Sequence, residues 1–253
     1  MTPLPHVAII TAVAGEQELL IRELNASKLE DRGFVMHGVT TAAMHIILIE
    51  GGIGKANAAA ATAAVIERFT PALIINTGCC GAFPYSGLTT GDLALATHDI
   101  FADEGCITTQ RFLSIKDMNL PLMHDARGTI FQCIPFSRDL TELVEHWGAS
   151  TGTPLAKGVF ATVSSCSGTD MRAADLYRQT EALCESMEGA AIALTAYRYG
   201  IPCFQLRGVS NLVENRDLAR WDIPKAVGKV QEIVLKILFS AALEQWLYRS
   251  RPK

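Results

Sequence analysis

The hydrophobic positions of the chain form short apolar runs that alternate with stretches of helical periodicity. The runs are rich in β-branched residues, a composition typical of buried strands. They span residues 7–13, 45–49, 73–76, 92–100, 159–165 and 203–210. The stretches between them predict helices over residues 17–24, 56–69, 137–147, 188–199 and 222–250. This alternation predicts an α/β fold, with helices on both faces of a sheet and ligand sites at the carboxyl ends of the strands.

Two glycine-rich segments follow predicted strands. Residues 51–54 (GGIG) lie between a strand and a helix, but they have neither the GxGxxG spacing of a dinucleotide site nor the spacing of a P-loop. A tight turn that supports a neighbouring site is the simpler interpretation. The second segment, residues 77–81 (TGCCG), is predicted to end the strand over residues 73–76.

The domain organisation follows from the same pattern. Residues 103–136 are less regular and are predicted to form an insertion of loops and short strands. No repeat or linker-like stretch interrupts the chain, so residues 1–253 are expected to form a single domain. Residues 1–6 are expected to be flexible, and residues 222–250 are expected to form one C-terminal helix.

Composition and charge exclude several classes of protein. Hydrophobic residues make up 49% of the chain and charged residues 19%, as expected for a folded protein with a large core. The net charge of −4 argues against a nucleic acid as partner, because no basic stripe is present to hold a phosphate backbone. The chain has no apolar run of about 18 residues and no signal-like start. No membrane contact and a cytoplasmic location are therefore expected.

Four separated segments carry the candidate chemistry. They are residues 9–16 (IITAVAGE), 51–59 (GGIGKANAA), 76–82 (NTGCCGA) and 185–191 (ESMEGAA). In this order and spacing they resemble the nucleoside phosphorylase and nucleosidase family, which includes methylthioadenosine/S-adenosylhomocysteine nucleosidase. The resemblance extends from about Val7 to about Ile237. It implies a three-layer αβα sandwich around a central mixed sheet, and a small nucleoside as substrate.

Glu188 is the strongest single candidate for substrate binding. The segment that contains it places a carboxylate at a junction of strand and helix, where its oxygens can accept hydrogen bonds from two vicinal hydroxyls. The resemblance implies that Glu188 binds the ribose hydroxyls and that Met187 packs on the sugar. A glutamate in a first helical turn more often only complements the helix dipole, but the neighbouring matches favour the ribose role.

Glu16 matches the family glutamate that activates the attacking water. Hydrolysis of an N-glycosidic bond passes through an oxocarbenium-like sugar and needs a positioned water with a base beside it. A phosphorylase needs cationic and amide donors around phosphate instead. Residues 14–18 contain no arginine or lysine, and a carboxylate would repel phosphate, so water is the expected nucleophile. The alternative is a glutamate that only interacts with the start of a helix.

Asn211 is the most informative departure from the adenine-specific members of the family, which carry aspartate at this position. An asparagine amide donates to O6 of a purine and serves N7 with its other contacts. An ionised aspartate only accepts hydrogen bonds and would face the O6 lone pairs. Asn211 is therefore expected to be a catalytic residue, and its amide indicates a 6-oxopurine, hypoxanthine, as the leaving base.

Two further segments resemble the branch of this family that hydrolyses futalosine, a hypoxanthine riboside with a benzoate-bearing tail at its 5′ end. They are residues 162–169 (TVSSCSGT) and 213–221 (VENRDLARW). The resemblance implies that one stretch stacks on the base and hydrogen-bonds it, namely Ser165, Cys166 and Ser167. Two interpretations stay open for Arg216, Asp217 and Trp221. One is a structural ion pair with an anchor for the last helix, and the other is a functional role.

Cys79 stands where related nucleosidases carry a serine near the base. Its thiol and the backbone amides of Cys80 and Gly81 are candidates to line the pocket. A nucleophilic cysteine is not expected, because no histidine lies in a matched motif. The seven cysteines show no CxxC pair, which indicates reduced thiols rather than disulfides or a zinc site. No metal and no other cofactor are expected.

These observations predict an N-ribosyl hydrolase that releases hypoxanthine from futalosine, and the resemblance implies a place in menaquinone biosynthesis. The enzymatic alternatives are a methylthioadenosine-type nucleosidase and a purine nucleoside phosphorylase. The non-enzymatic alternative is a nucleoside-binding or storage protein, against which the presence of Glu16 and Glu188 argues. The resemblance also implies a homodimer or higher homo-oligomer whose partner subunit helps close the pocket. Candidates for that interface are Ile107, Phe112, Leu120 and Leu122.

Overall fold

A large mixed β-sheet organises the residues that the computed structural model describes, which are 3–30 and 33–250. The strands are, in chain order, β1 (His6–Thr11), β2 (Ser27–Lys28), β3 (Val35–Thr40), β4 (His45–Glu50), β5 (Leu73–Ala82), β6 (Leu93–Phe101), β7 (Gly105–Ile107), β8 (Phe112–Ser114), β9 (Met123–Asp125), β10 (Gly128–Ile130), β11 (Cys133–Pro135), β12 (Ala156–Thr162), β13 (Cys184–Ser186) and β14 (Cys203–Leu212). The α-helices are α1 (Glu18–Leu24), α2 (Lys55–Phe69), α3 (Arg138–Thr151), α4 (Asp170–Thr180), α5 (Gly189–Tyr199), α6 (Ile223–Leu238) and α7 (Ala241–Arg249).

The sheet combines parallel and antiparallel pairs and closes on itself at one end. Strand β1 lies parallel to β4 and β5, and β5 lies parallel to β14. Strand β6 pairs antiparallel with β14 and parallel with β12, and β13 links β12 back to β5. In this circuit Gly81 of β5 pairs with Glu185 on one side and with Asn211 on the other. The ends of β5, β13 and β14 therefore meet at one place.

Alternate residues of β1 face two different cores. Ala8 and Ile10 belong to the cluster that holds α2 and α5 against the sheet, whereas Val7 and Ile9 belong to the cluster under α1, α3, α6 and α7. Side chains alternate between the two faces of a strand, so a strand that is apolar throughout is buried on both faces. The expected α/β sandwich is confirmed, with helices on both sides of a central mixed sheet.

Strand β5 does not end at residue 76, as the glycine-rich segment predicted. It continues to Ala82, because β14 pairs with it from Ile74 to Ala82. Gly78 has a φ of 144°, and a Cβ there would lie only 2.3 Å from Glu16 Oε1. The glycine therefore allows Glu16 to approach the strand closely.

The C-terminal region forms two helices rather than the one predicted over residues 222–250. Ser240 has an extended backbone after α6, and its Oγ accepts a hydrogen bond from Leu243 N, which caps the start of α7. At the other end, His6 already belongs to β1, whereas residues 1–2 of the segment predicted to be flexible lie outside the described residues.

Other parts of the chain differ less from expectation. Short strands fill the irregular region 103–136, as predicted, whereas α4 and the pair β2–β3 have no counterpart in the predicted elements. Within residues 3–30 and 33–250, no helix combines the length and the apolar character needed to cross a membrane.

Candidate active site

A cavity of about 290 Å³ opens where β1, β5, β13 and β14 end. It brings together the predicted site residues Glu16, Cys79, Cys80, Gly81, Cys166, Ser167, Met187, Glu188 and Asn211. Ser165 does not line it. The cavity also contains residues for which the sequence predicted no role, among them Glu185 and Ser210. The separated segments thus meet in one site.

Two backbone amides orient the carboxylate of Glu16. Cys79 N donates to Oε1 at 2.8 Å, and Ala12 N donates to Oε2 at 2.9 Å. Glu16 lies in a short 3-10 turn after β1 and is only 4% exposed. Each carboxylate oxygen carries a second lone pair, so acceptor capacity for a water molecule remains on the cavity side.

A buried arginine, Arg207, lies beside Glu16 and Glu188. Its Nη2 is 3.9 Å from Glu188 Oε2, and a Cβ at Gly78 would lie 2.8 Å from its Nη1. Burial opposes the charge of Arg207, but Glu188 and Glu16 outweigh burial and raise its pKa. A cation therefore lies beside Glu16 in the fold, although residues 14–18 contain no arginine or lysine. Arg207 comes from β14, and the available signal was that it is the single charged residue of this strand.

Behind Arg207, a chain of buried side chains leads away from the cavity. Arg207 Nη2 donates to Asn76 Oδ1 at 2.9 Å, and Asn76 Nδ2 donates to Gln205 Oε1. Gln205 Nε2 then donates to Asp99 Oδ2 at 2.9 Å. Each group in this series donates to the next one. The series begins at a guanidinium, which can only donate, and it ends at a carboxylate, which can only accept when it is ionised. Burial raises the pKa of Asp99 to about 6, although hydrogen bonds from Thr162 and Gln205 lower it.

Glu188 lies at the junction of β13 and α5, as predicted, and is held by the glycine-rich turn after β4. Gly54 N donates to Glu188 Oε1 at 2.9 Å, so this turn supports the site. Asp99, at the buried end of the hydrogen-bonded series of side chains behind Arg207, also anchors the first turn of α5. Thr162 Oγ1 donates to Asp99 at 2.7 Å and accepts from Ala190 N at 2.8 Å. Asp99 therefore positions both Arg207 and the helix that follows Glu188.

The amide of Asn211 is fixed by its neighbours in β14. Its Oδ1 accepts from Ser210 Oγ at 2.7 Å, and its Nδ2 donates to Leu212 O at 2.8 Å. Gly81 permits this position, since a Cβ there would be 3.1 Å from Asn211 Nδ2. The second Nδ2 hydrogen has no partner among residues 3–30 and 33–250, so it is available to a ligand in the cavity.

Two thiols of the cavity, those of Cys79 and Cys166, have a raised pKa, which favours their protonated form. Burial and the charge of Glu16 raise the pKa of Cys79 to about 12, although Arg207 opposes them. Burial, with Glu185, also raises the pKa of Cys166. Protonated thiols are poor nucleophiles, so the cavity offers carboxylates for polar chemistry instead. Across the described residues, no group of His, Cys, Asp and Glu side chains is arranged to hold a metal ion.

Ser167 and Ser165 face different cavities. Ser167 lines the active-site cavity, where its N and its Oγ each donate at 2.8 Å to the carboxylate of Glu185. Ser165 borders a neighbouring cavity, and its N donates to Asp103 at 3.3 Å. Glu185 is 6% exposed, and burial raises its pKa. The sequence did not single it out, because nothing in ESMEGAA distinguishes a glutamate that points inward.

An exposed arginine and a tryptophan lie at the rim of the cavity. The Arg216 guanidinium lies over the Trp221 ring, 5.0 Å from its centre. Asp217 instead caps the 3-10 turn Leu218–Arg220, where its Oδ1 accepts from Ala219 N at 3.1 Å. Within the described part of the chain, Arg216 forms no ion pair. The interpretation of Arg216 as part of a structural ion pair is therefore wrong.

Known proteins resemble this chain along most of its length. The sequence profile of the Phosphorylase superfamily matches residues 6–239. The futalosine hydrolase of Streptomyces coelicolor is 31% identical over 95% of this chain and 97% of that protein. The futalosine hydrolase of Acidothermus cellulolyticus is 35% identical over 88% of this chain and 86% of that protein. The crystal structure of 5′-methylthioadenosine/S-adenosylhomocysteine nucleosidase from Helicobacter pylori has a TM-score of 0.80 at 20% identity, covering 93% and 98% of the two chains, which shows the shared fold.

Proposed function

The chain belongs to the phosphorylase superfamily, and on that basis we propose that it hydrolyses the N-glycosidic bond of futalosine and releases hypoxanthine. The observation that carries this proposal is the pair of buried carboxylates, Glu16 and Glu188, that flank Arg207 at one cavity. Likeness to two futalosine hydrolases over most of the chain supports the choice of substrate.

Glu16 is the proposed base for the attacking water. The water oxygen bonds to C1′ as the C1′–N9 bond breaks, and a proton of the water passes to Glu16. The electron pair of the broken bond leaves with the base, which becomes hypoxanthine by taking up a proton from solvent, and Glu16 returns its proton to solvent. The carboxylates of Glu16 and Glu188 favour the positive charge that develops on the sugar. Because backbone amides already orient Glu16, it needs no rearrangement during the reaction.

Glu188 and Asn211 are the proposed contacts to the sugar and the base. Gly54 fixes Oε1 of Glu188, so the carboxylate is positioned to accept from the two ribose hydroxyls, with Met187 packed on the sugar. The free Nδ2 hydrogen of Asn211 suits an acceptor on the base, O6 or N7. A carboxylate here would face the O6 lone pairs, which supports hypoxanthine rather than adenine.

Water rather than phosphate is the proposed nucleophile. Phosphate needs several donors around it, but Arg207 already donates to Asn76 Oδ1 and, at 3.3 Å, to Cys79 O. The two carboxylates beside it would repel phosphate. The positive charge of Arg207 nevertheless favours a phosphorylase, so dependence on phosphate is the decisive measurement.

The test compares release of base from futalosine, aminodeoxyfutalosine, inosine and methylthioadenosine, each with and without phosphate. We expect fastest release from futalosine and no stimulation by phosphate. Glu16→Gln should lower kcat at least ~10²-fold with little change in KM. The matched control Glu18→Gln changes an exposed residue of α1 and should leave both constants unchanged. Phosphate-dependent release, a preference for methylthioadenosine, or binding without turnover would each contradict the proposal.

We also propose that the enzyme acts in the cytoplasm as a homodimer, within menaquinone biosynthesis. Ile107 at the end of β7 is 88% exposed, and Leu120 is 57% exposed, as expected for an apolar interface. Phe112 is half-buried, and Leu122 packs against a core cluster, so these two are weaker candidates. Light scattering at micromolar concentration should give twice the chain mass of 27.3 kDa. A fully active monomer would contradict the dimer.

A further inference from the structure

The interior of the active-site cavity is acidic, whereas its rim is apolar and carries one cation. The carboxylates of Glu16, Glu185 and Glu188 line the interior. At the rim, Val13 is 39% exposed and Ile53 is 57% exposed. Among the described residues that line this cavity, the only cationic side chain is Arg216.

Arg216 is held in place by an aromatic ring, but it has no anionic partner among residues 3–30 and 33–250. The Trp221 ring supports its guanidinium, and none of the described residues forms an ion pair or hydrogen bond with it. Arg220, in the same loop, is different, because it pairs with Glu214 at 2.5 Å. A guanidinium that stacks on an aromatic ring keeps the edge of its N–H groups free, and that edge matches the two oxygens of a carboxylate.

The neutral parts of a nucleoside do not need this cation. Asn211 suits the base, and Glu188 suits the ribose hydroxyls. The 5′ substituent is therefore the part of the substrate that extends out of the cavity past the rim. Val13, Ile53 and Trp221 offer apolar surface to a ring at this place. A substituent with an aromatic body and an anionic end would match all of these groups.

We propose that Arg216 and Trp221 form a subsite that binds an aromatic carboxylate carried on the 5′ side of the nucleoside. For the substrate itself this rests on the proposed function, since the benzoate of futalosine is such a group. The subsite makes the tail a determinant of specificity, because inosine, which lacks the tail, leaves Arg216 without a partner.

The kinetic test uses Arg216→Gln, with Arg220→Gln as the matched control in the same loop. For Arg216→Gln, kcat/KM should fall at least about fivefold with futalosine and stay within twofold with inosine. Arg216→Lys should recover part of the loss, because it keeps the charge without the planar fork. Arg220→Gln should leave both substrates within twofold. An unchanged value for futalosine, or an equal loss for inosine, would overturn the subsite.

A binding test separates this inference from the proposed function. Ligand-observed NMR with benzoate and benzamide needs no turnover and compares an anion with a neutral ring of the same shape. Benzoate should bind the wild type more strongly than Arg216→Gln, whereas benzamide should bind both equally. If the wild type does not cleave futalosine but benzoate still requires Arg216, the proposed function fails and the subsite stands. Equal binding of benzoate to both proteins would overturn the subsite.

Discussion

The two arginines of the active site are placed in opposite surroundings. Arg207 is 1% exposed, donates to Asn76 and lies 3.9 Å from Glu188. Arg216 is exposed, stacks on Trp221 and has no ion pair within the described residues. Removing a charge from water costs several kcal/mol, so an arginine in the interior needs partners of opposite charge and hydrogen-bond acceptors. The site therefore has a fixed interior, which is the proposed place of bond cleavage, and an open rim, which is the proposed place where the tail of the substrate binds.

The largest expected effect tests this contrast directly with the pair Arg207→Met and Arg216→Met. Without Arg207, the buried carboxylates of Glu16 and Glu188 lose their counter-charge. The free energy of unfolding should fall by about 3–5 kcal/mol. Arg216→Met removes an exposed charge and should change it by less than about 0.5 kcal/mol. Urea denaturation measures both values, and similar losses in the two variants would mean that the interior and the rim do not differ as described.

The second prediction concerns the choice of base in the interior. Asn211→Asp replaces the Nδ2 donor with an acceptor that would face both Leu212 O and O6 of hypoxanthine. Discrimination of futalosine over aminodeoxyfutalosine should fall by about 2–4 kcal/mol, measured as the ratio of their kcat/KM values. The ratio cancels any loss of folded enzyme. The control Asn215→Asp changes a loop residue outside the cavity lining and should leave the ratio unchanged. A constant ratio in Asn211→Asp would show that Asn211 does not read the base.

The interior of the site was easier to predict from the sequence than its rim or the hydrogen-bonded side chains that support Arg207. Glu16 and Glu188 lie in segments whose order and spacing are specific, and the structure brings both to one cavity. Arg207 was visible only as the single charge of a buried strand, because its contacts come from residues distant in sequence. Asp99 and Glu185 gave no local signal at all, since burial and hydrogen-bond direction depend on the tertiary fold. The break between α6 and α7 was missed because apolar periodicity continues across the Ser240 cap.

The third prediction tests Asp99, the last residue in the series of hydrogen-bonded side chains that holds Arg207 in place. Folding raises the pKa of the Asp99 carboxyl group to about 6, above the usual value of about 3.9. The folded protein therefore binds the proton of this carboxyl group more tightly than the unfolded chain does. The associated stability is fully present below about pH 4 and is lost as the pH rises through about 6. Asp99→Asn lacks this titration. The stability of wild type minus that of the variant should therefore decrease by about 2–3 kcal/mol from pH 4 to pH 7, measured by urea denaturation. A pH-independent difference would contradict the shifted pKa.

The smallest expected effect defines where the cavity ends, and it compares Ser167→Ala with Ser165→Ala. Ser167 Oγ donates to the buried carboxylate of Glu185, so its removal should cost about 1–2 kcal/mol of stability and lower kcat/KM by less than about tenfold. The contact of Ser165 with Asp103 uses its backbone N, which alanine keeps, so Ser165→Ala should stay within about 0.5 kcal/mol and twofold. Thermal denaturation and steady-state kinetics on both variants give the two comparisons. If Ser165→Ala lowers kcat/KM more than Ser167→Ala, Ser165 reaches the substrate, and the loop after β12 must change its conformation when substrate binds.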